Sequence, residues 1–340
     1  FILAALLYIP GVQDFAVRKA TAVLSESTGM DAQVGRLRLT FLFDIDLQDV
    51  QVKDGHGDSL LDVKHLIVDL GFSSLLHGEI DVDGIELLQS SVDTKSLIAG
   101  VGIKGRIGHF FVDSHGIELP QEWVTVNTVS LSDAEVDIAL NDSTTEDTTA
   151  SSPVNWKIAL LQVDLARTRL RLSIPGDSMR VTAGIRKAAL RDGLIDLGKS
   201  LYTVRTFGLQ ADSVRYDLPF EAAAEGLDVN HLALSDVSVG LDSISFDGNA
   251  IALSMALKDV RMKEKSGLEV QSLAGWFGMD STSLHVPGLA LRTPDSYLRI
   301  QADMDLSAVA EHPQGKMSAR LMGEIGKQDL LLFAGGHHHL

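Results

Sequence analysis

The sequence predicts a mainly β protein: a long, twisted antiparallel sheet curled into an open groove with an aliphatic face. Three observations carry this. Apolar residues alternate in twos through most of the chain after Met30. Helical periodicity is concentrated before that point. At several places the apolar phase slips by an odd number of residues, which in an unbroken strand would turn the side chains to the other face.

Taken in order, FILAALLYIP (residues 1–10) is apolar but shorter than the roughly 20 residues that cross a bilayer. It has two readings: the exit end of a membrane anchor whose start precedes Phe1, or an apolar first turn of a buried helix. Pro10 and Gly11 break it. Residues 11–29 read as an amphipathic helix over Val12–Thr28, with Val12, Phe15, Ala16, Ala20, Val23 and Leu24 on one face and Gly29 as its stop. It is expected to cover the first end of the sheet.

The stretch from Val34 to Val92 sets the pattern for the rest. Apolar residues alternate at Leu37, Leu39, Phe41, Phe43, Ile45 and Leu47, and resume at Val50 and Val52. They continue at Leu61 and Val63, at Leu66, Val68 and Leu70, and at Ile80, Val82, Ile85 and Leu87. The slips follow: Leu47 to Val50, Leu131 to Val136, Leu165 to Leu170, Leu209 to Val214, Leu234 to Val237 and Leu257 to Val260. A hairpin or a bulge at each slip keeps one face apolar. Gln48-Asp49, Ser132-Asp133, Ser235-Asp236 and Lys258-Asp259 suit either device. If roughly 18 to 20 strands stack over residues 30–334, the sheet is about 90 Å long at about 4.8 Å per strand. Asn141–Pro153 (NDSTTEDTTASSP) has no apolar run and reads as an exposed loop; its Asp-Ser-Thr and Asp-Thr-Thr tripeptides also fit an O-glycosylation acceptor pattern. Residues 335–340 end in GGHHHL, a tag remnant or a chance run, and are left out of metal arguments.

Composition excludes several functions. Net charge is −17, which argues against a nucleic-acid backbone or an anionic membrane surface as partner for the body of the chain. There is no Cys, hence no disulfide, thiolate zinc site or thiol nucleophile. Gly100, Gly102 and Gly105 match G-x-G-x-x-G, but RIGHFFVDSHG follows as a strand, where a dinucleotide site needs a helix. Asp113-Ser114-His115 contains triad residue types, yet sequence neighbours cannot form triad geometry, so it reads as a turn. The histidines are scattered without ligand spacing. Neither catalysis, a metal nor a cofactor is expected.

The order of parts resembles the N-terminal region of the TamB/AsmA-like envelope proteins, members of the bridge-like lipid-transfer superfamily. The matching pattern is Leu47, Asp49, Val50, Val52, Asp54, Gly57, Leu60, Leu61, Val63, Leu66, Val68 and Leu70, then Leu75, Leu76, Gly78, Ile80, Val82, Gly84, Ile85 and Leu87. The resemblance implies inner-membrane anchoring, a body in the periplasm of a Gram-negative bacterium, and a β-groove that carries phospholipid acyl chains towards the outer membrane. It also implies an alternative role as a translocation and assembly module subunit, whose C-terminal region, absent from this sequence, meets an outer-membrane barrel partner. The residues expected to line the groove are Val136, Ile138 and Leu140; Leu170, Leu172 and Ile174; Val214, Tyr216 and Leu218; and Val237, Val239 and Leu241. For each set the other reading is a core strand of a closed sandwich.

Overall fold

The computed structural model describes residues 30–39, 44–70, 82–94, 101–118, 122–140, 155–176, 178–221, 226–308 and 314–333. The expected anchor (1–10), amphipathic helix (11–29), loop Asn141–Pro153 and terminal residues 335–340 lie outside them, as do Phe41, Phe43 and the stretch holding Leu75, Leu76, Gly78 and Ile80.

The fold is one open sheet of fifteen strands, each hydrogen-bonded to the next in chain order. The first half is β1 (Asp31–Leu39), β2 (Ile45–Lys53), β3 (Ser59–Leu70), β4 (Val82–Asp93), β5 (Val101–Glu118), β6 (Trp123–Leu140) and β7 (Lys157–Ile174). The second is β8 (Met179–Asp196), β9 (Leu201–Asp217), β10 (His231–Asp247), β11 (Ala252–Glu264), β12 (Glu269–Met279), β13 (Ser283–Arg292), β14 (Tyr297–Asp305) and β15 (Met317–Glu324). The alternation of aliphatic and polar residues makes one face of this ribbon apolar, as a sheet with one solvated side requires.

Turn chemistry closes the hairpins. Asp54 Oδ1 accepts from the amides of His56 (2.9 Å) and Asp58 (2.8 Å), and Gly57 supplies a φ of 86° between β2 and β3. Asp247 does the same for Asn249 and Ala250 between β10 and β11, and Asp280 for Thr282 and Ser283 between β12 and β13. Pro175, Pro219 and Pro294 fall outside strands, while Pro287 sits inside β13 where its register with β14 shifts.

Three features depart from the expected sheet. First, β6 and β7 run parallel, with Trp123 opposite Lys157 and Ala139 opposite Ser173. Residues 141–156 separate the two strands, and parallel neighbours need a connection of about a dozen residues or more. Second, all six odd steps lie inside strands, so of the two devices offered none is a hairpin. Strands are therefore longer and fewer, reaching eighteen residues in β5 to β8. The fifteen strands among the described residues, at about 4.8 Å each, span about 70 Å. Third, a helix, α1 (Lys327–Phe333), follows β15. Its buried Asp329 accepts hydrogen bonds from the Thr293 and Ser296 hydroxyls at the β13–β14 turn, which fastens the helix there.

Candidate functional site

The irregularities line up. In β2 the ladder to β3 pairs Gln48 with His65 and Val50 with Val63, leaving out Asp49 and Lys64. The same gap recurs in every neighbouring pair from β1 to β10. It passes through Gly35, Asp49, Lys64, Gln89, Gly108, Asp133, Arg167, Arg186, Asp212 and Asp236, one residue per strand. Five of these hold left-handed backbone: Asp49, Gln89, Asp133, Arg167 and Asp236, with φ of 53°, 51°, 54°, 47° and 50°. Both strands of a pair skip one residue at the same level, so the register is the same on either side of the gap. In β6 the apolar side thus passes from Val129 and Leu131 to Ala134, Val136 and Ile138 without changing face. A second seam, six residues away in β6 to β8, runs through Asn127, Leu161, Asp192, Arg205 and Ser243. Asp192 and Ser243 are its left-handed positions, at 49° and 52°.

On the apolar side, the row beside the first seam is the most buried line in the sheet. Through successive pairs it is Val34, Val50, Val63, Ser90, Ile107, Ala134, Thr168, Ile185, Ala211 and Val237. Val63 and Ala211 are fully buried, and all but Val34 and Ile107 are classed as buried. Small and β-branched side chains occupy this line, the first crease, and their burial is what a sheet folded along it produces. On the opposite side the seam carries exposed ion pairs: Lys64 Nζ to Asp49 at 3.0 Å, Arg167 to both Asp133 oxygens at 2.6 Å, and Arg186 to Asp212 at 3.2 Å. Gly108 makes room for this arrangement, since a Cβ there would lie 2.7 Å from that of Asp133.

The creases divide the apolar face into a floor and two walls. The floor is two side chains wide in β6 to β8. One row runs Leu37, Leu47, Leu66, Leu87, Phe110, Leu131, Leu165, Ala188, Leu209 and Val239. The other includes Val68, Ile85, Val112, Val129, Val163, Leu190, Phe207 and Leu241. Most of these side chains are only part-buried, as an open face leaves them. Ala183, Ile185 and Ala188 form a buried cluster packed by Leu165, Leu170, Leu209 and Val214 from both sides of the first crease.

The expected lining residues fall on this face in two groups. Val136 registers with Leu170, and through Ala183 with Val214. Ile138 registers with Leu172, and through Val181 with Tyr216. Leu140, Ile174 and Leu218 stand at the outer end of that wall, all half-buried. Val237 instead pairs with Ala211 in the crease, and Val239 and Leu241 pair with Leu209 and Phe207 on the floor. The β10 set therefore continues the same face beyond the first crease, not the same wall. Apart from Val239 and Leu241, the floor was not among the expected lining residues, although Leu131, Leu165 and Leu209 are the residues that end each apolar run before a slip.

Charge is kept to the other face. There Glu135 meets Arg106 (3.4 Å), Arg169 (3.8 Å) and Arg171 (3.5 Å), and Arg191 reaches Asp164 (2.9 Å). Burial alone would raise the Asp164 carboxyl, but hydrogen bonds from Arg191 and Gln162 outweigh it and hold it below the ordinary value. At the β2–β5 end, Asp69 is raised by desolvation and by the nearby charges of Asp44, Asp83 and Asp113.

The remaining motifs are absorbed by the sheet. Gly102 and Gly105 lie in β5, where Gly105 lets the β6 backbone approach. Asp113-Ser114-His115 is not a turn. It lies within β5, and the register with β6 shifts on both sides of Ser114. His65, His109 and His231 each face one carboxylate, Asp46, Glu86 and Asp228, at 3.1, 2.7 and 3.0 Å. Among the described residues no group of three or more metal-ligating side chains converges, and no helix is long and apolar enough to cross a membrane.

Fold and face together define the class: an open, single-sheet β-groove with an apolar interior and a charged exterior. No protein-family model matches the chain and no curated protein is similar to it.

Proposed function

We propose that this chain is part of a lipid-transfer protein of the TamB/AsmA-like kind, anchored in the inner membrane and extending through the periplasm. Phospholipid acyl chains travel in the groove between inner and outer membranes while head groups stay in water. The observation that supports this is the floor row from Leu37 to Val239, apolar at every position across ten strands.

The physics is that of transfer. Exposing one CH₂ to water costs about 0.8 kcal/mol, so a 16-carbon chain costs on the order of 12 kcal/mol. An uninterrupted apolar trough removes that cost at each step along the path. It requires no reaction. Mass spectrometry of the purified protein tests the reading: copurified phospholipid is expected, and a lipid-free groove that also takes up none from vesicles overturns it.

One observation favours a second reading. Every residue of β15 is exposed, Met317, Leu321 and Met322 among them, and its outer edge pairs with no strand among the described residues. Such an edge accepts an extended segment by strand addition, as an assembly factor acting with an outer-membrane barrel would need. Crosslinks from β15 to a barrel protein, without lipid in the groove, favour this role.

A further inference from the structure

We propose that the two seams set the bore of the groove: their skipped residues are positioning residues that fix the angle between floor and walls, and with it how closely the apolar walls surround an acyl chain. The inference rests on the lipid-carrying reading but reads a different part of the molecule, since the seam side chains face away from the cargo.

Three observations carry it. A left-handed residue breaks the regular pleat of its strand, and one skipped, in-register position per strand at a single level adds up to a line across the sheet rather than a scatter of defects. The first seam keeps that level from β1 to β10, so the line runs along the groove axis. The most buried row of the sheet, with Val63, Thr168, Ala211 and Val237 at most 3 % exposed, lies immediately inside that line. That burial requires flanking walls brought close together. The second seam repeats the device where Asp192 meets Arg205 and Ser243 takes a φ of 52°. Between the seams the floor is two inward side chains wide in β6 to β8, for example Leu165 and Val163 in β7, and three wide in β9 and β10, where Ala211 and Val237 join it.

The left-handed backbone is the part that substitution can address. Asp and Asn tolerate it, while β-branched residues do not. β10 carries both seams, at Asp236 and Ser243. With no Cys in the chain, cysteines replacing Ala233 and Ser245 on the outer side of the two walls can be spin-labelled cleanly. Twelve residues of straight strand would separate them by about 40 Å; a strand bent at both seams holds them closer.

The experiment compares the labelled parent with Asp236→Val/Ser243→Val and with Asp236→Asn/Ser243→Asn, reading label distance by pulsed EPR and bound phospholipid after incubation with phosphatidylethanolamine vesicles. The valine pair is expected to lengthen the distance towards 40 Å and to lower bound lipid several-fold, while the asparagine pair leaves both near the parent. Folded valine protein with the parental distance overturns the proposal, as does a lengthened distance with undiminished lipid. If no variant, the parent included, binds lipid, the lipid-carrying reading falls, while the distances still decide whether the seams set the angle. Should the double variant not fold, Asp236→Val alone carries the same comparison at the first seam.

Discussion

Arg171 Nη1 lies 2.7 and 2.8 Å from the two carboxylate oxygens of Asp137, across the parallel pair β6–β7. Two residues earlier Arg169 is opposite Glu135, and beyond that Arg167 takes both oxygens of Asp133. The outward side of β6 is therefore acidic where that of β7 is basic, and the parallel register places like positions side by side. A shift of two residues would keep the apolar face but lose one of the three pairs. The charges thus select among registers that the apolar pattern alone allows.

Because these pairs are largely exposed, they specify more than they stabilise. Asp137→Asn is expected to cost less than about 1 kcal/mol, since exposed pairs contribute about 0.2–1 kcal/mol and Glu135 still holds Arg171 at 3.5 Å. Reversing both acids, Glu135→Lys with Asp137→Lys, should cost clearly more and recover part of the loss in high salt. Urea unfolding at two ionic strengths checks both.

Two glycines should respond in opposite ways. A Cβ at Gly108 would meet the Cβ of Asp133 at 2.7 Å and its carbonyl oxygen at 3.0 Å, both fixed to the seam backbone. Gly108→Ala is expected to cost about 1–3 kcal/mol, the range for overpacking. A Cβ at Gly208 meets nothing within 4 Å, so Gly208→Ala should be neutral or stabilise by up to about 1 kcal/mol. Equal thermal shifts in the two variants would remove the seam's claim on Gly108.

How far the sequence reveals this architecture follows from what each feature needs. The apolar face is legible because alternation is local: Ile138 between Asp137 and Ala139 shows its side without knowledge of neighbours. The slips are legible for the same reason, and Asp at positions 49, 133 and 236 marks them because Asp tolerates left-handed backbone. Gln89 and Arg167 take the same conformation with no such mark, so the seam's continuity emerges only from the registers. The division into wall and floor is likewise non-local. Nothing near Val237 shows that its partner is Ala211 in the crease rather than Val214 on the wall. Asp113-Ser114-His115 resembles a turn because three polar residues interrupt the alternation, but a bulge interrupts it equally. The helix at Lys327–Phe333 is too short to show a helical period, and a tertiary contact, Asp329 with Thr293 and Ser296, holds it in place.

Acid should loosen the β12–β13 turn only at very low pH. Hydrogen bonds from the Thr282 hydroxyl, then from the Thr282 and Ser283 amides, lower the Asp280 carboxyl to about 2. A depressed folded-state value means that the contribution is complete above the ordinary carboxylate range, near 4, and is lost as pH falls through about 2. Asp280→Asn should therefore be less stable than the parent at pH 6, with the gap closing between about pH 4 and pH 2. Denaturant titrations across that window test the sign, and an NMR titration midpoint near 4 for Asp280 would refute it.

The groove itself is tested by placing one charge at two depths. Ile138 is half-buried on the wall, between Ile103 and Leu172. Ala211 is fully buried in the crease, between Ile185 and Val237. A carboxylate forced into a buried, unpaired position costs several kcal/mol, so Ala211→Asp is expected to unfold the protein or lower its melting temperature steeply. At Ile138 the walls are open and the carboxylate can turn towards the mouth and keep its water. Ile138→Asp should then fold and melt near the parent, while an acyl chain passing that point meets a charge and bound lipid falls. In cells that variant should leave the outer membrane leaky. Collapse of Ile138→Asp to the same degree as Ala211→Asp would mean that the wall is part of a closed core. Normal folding with undiminished lipid would mean that acyl chains do not pass this wall.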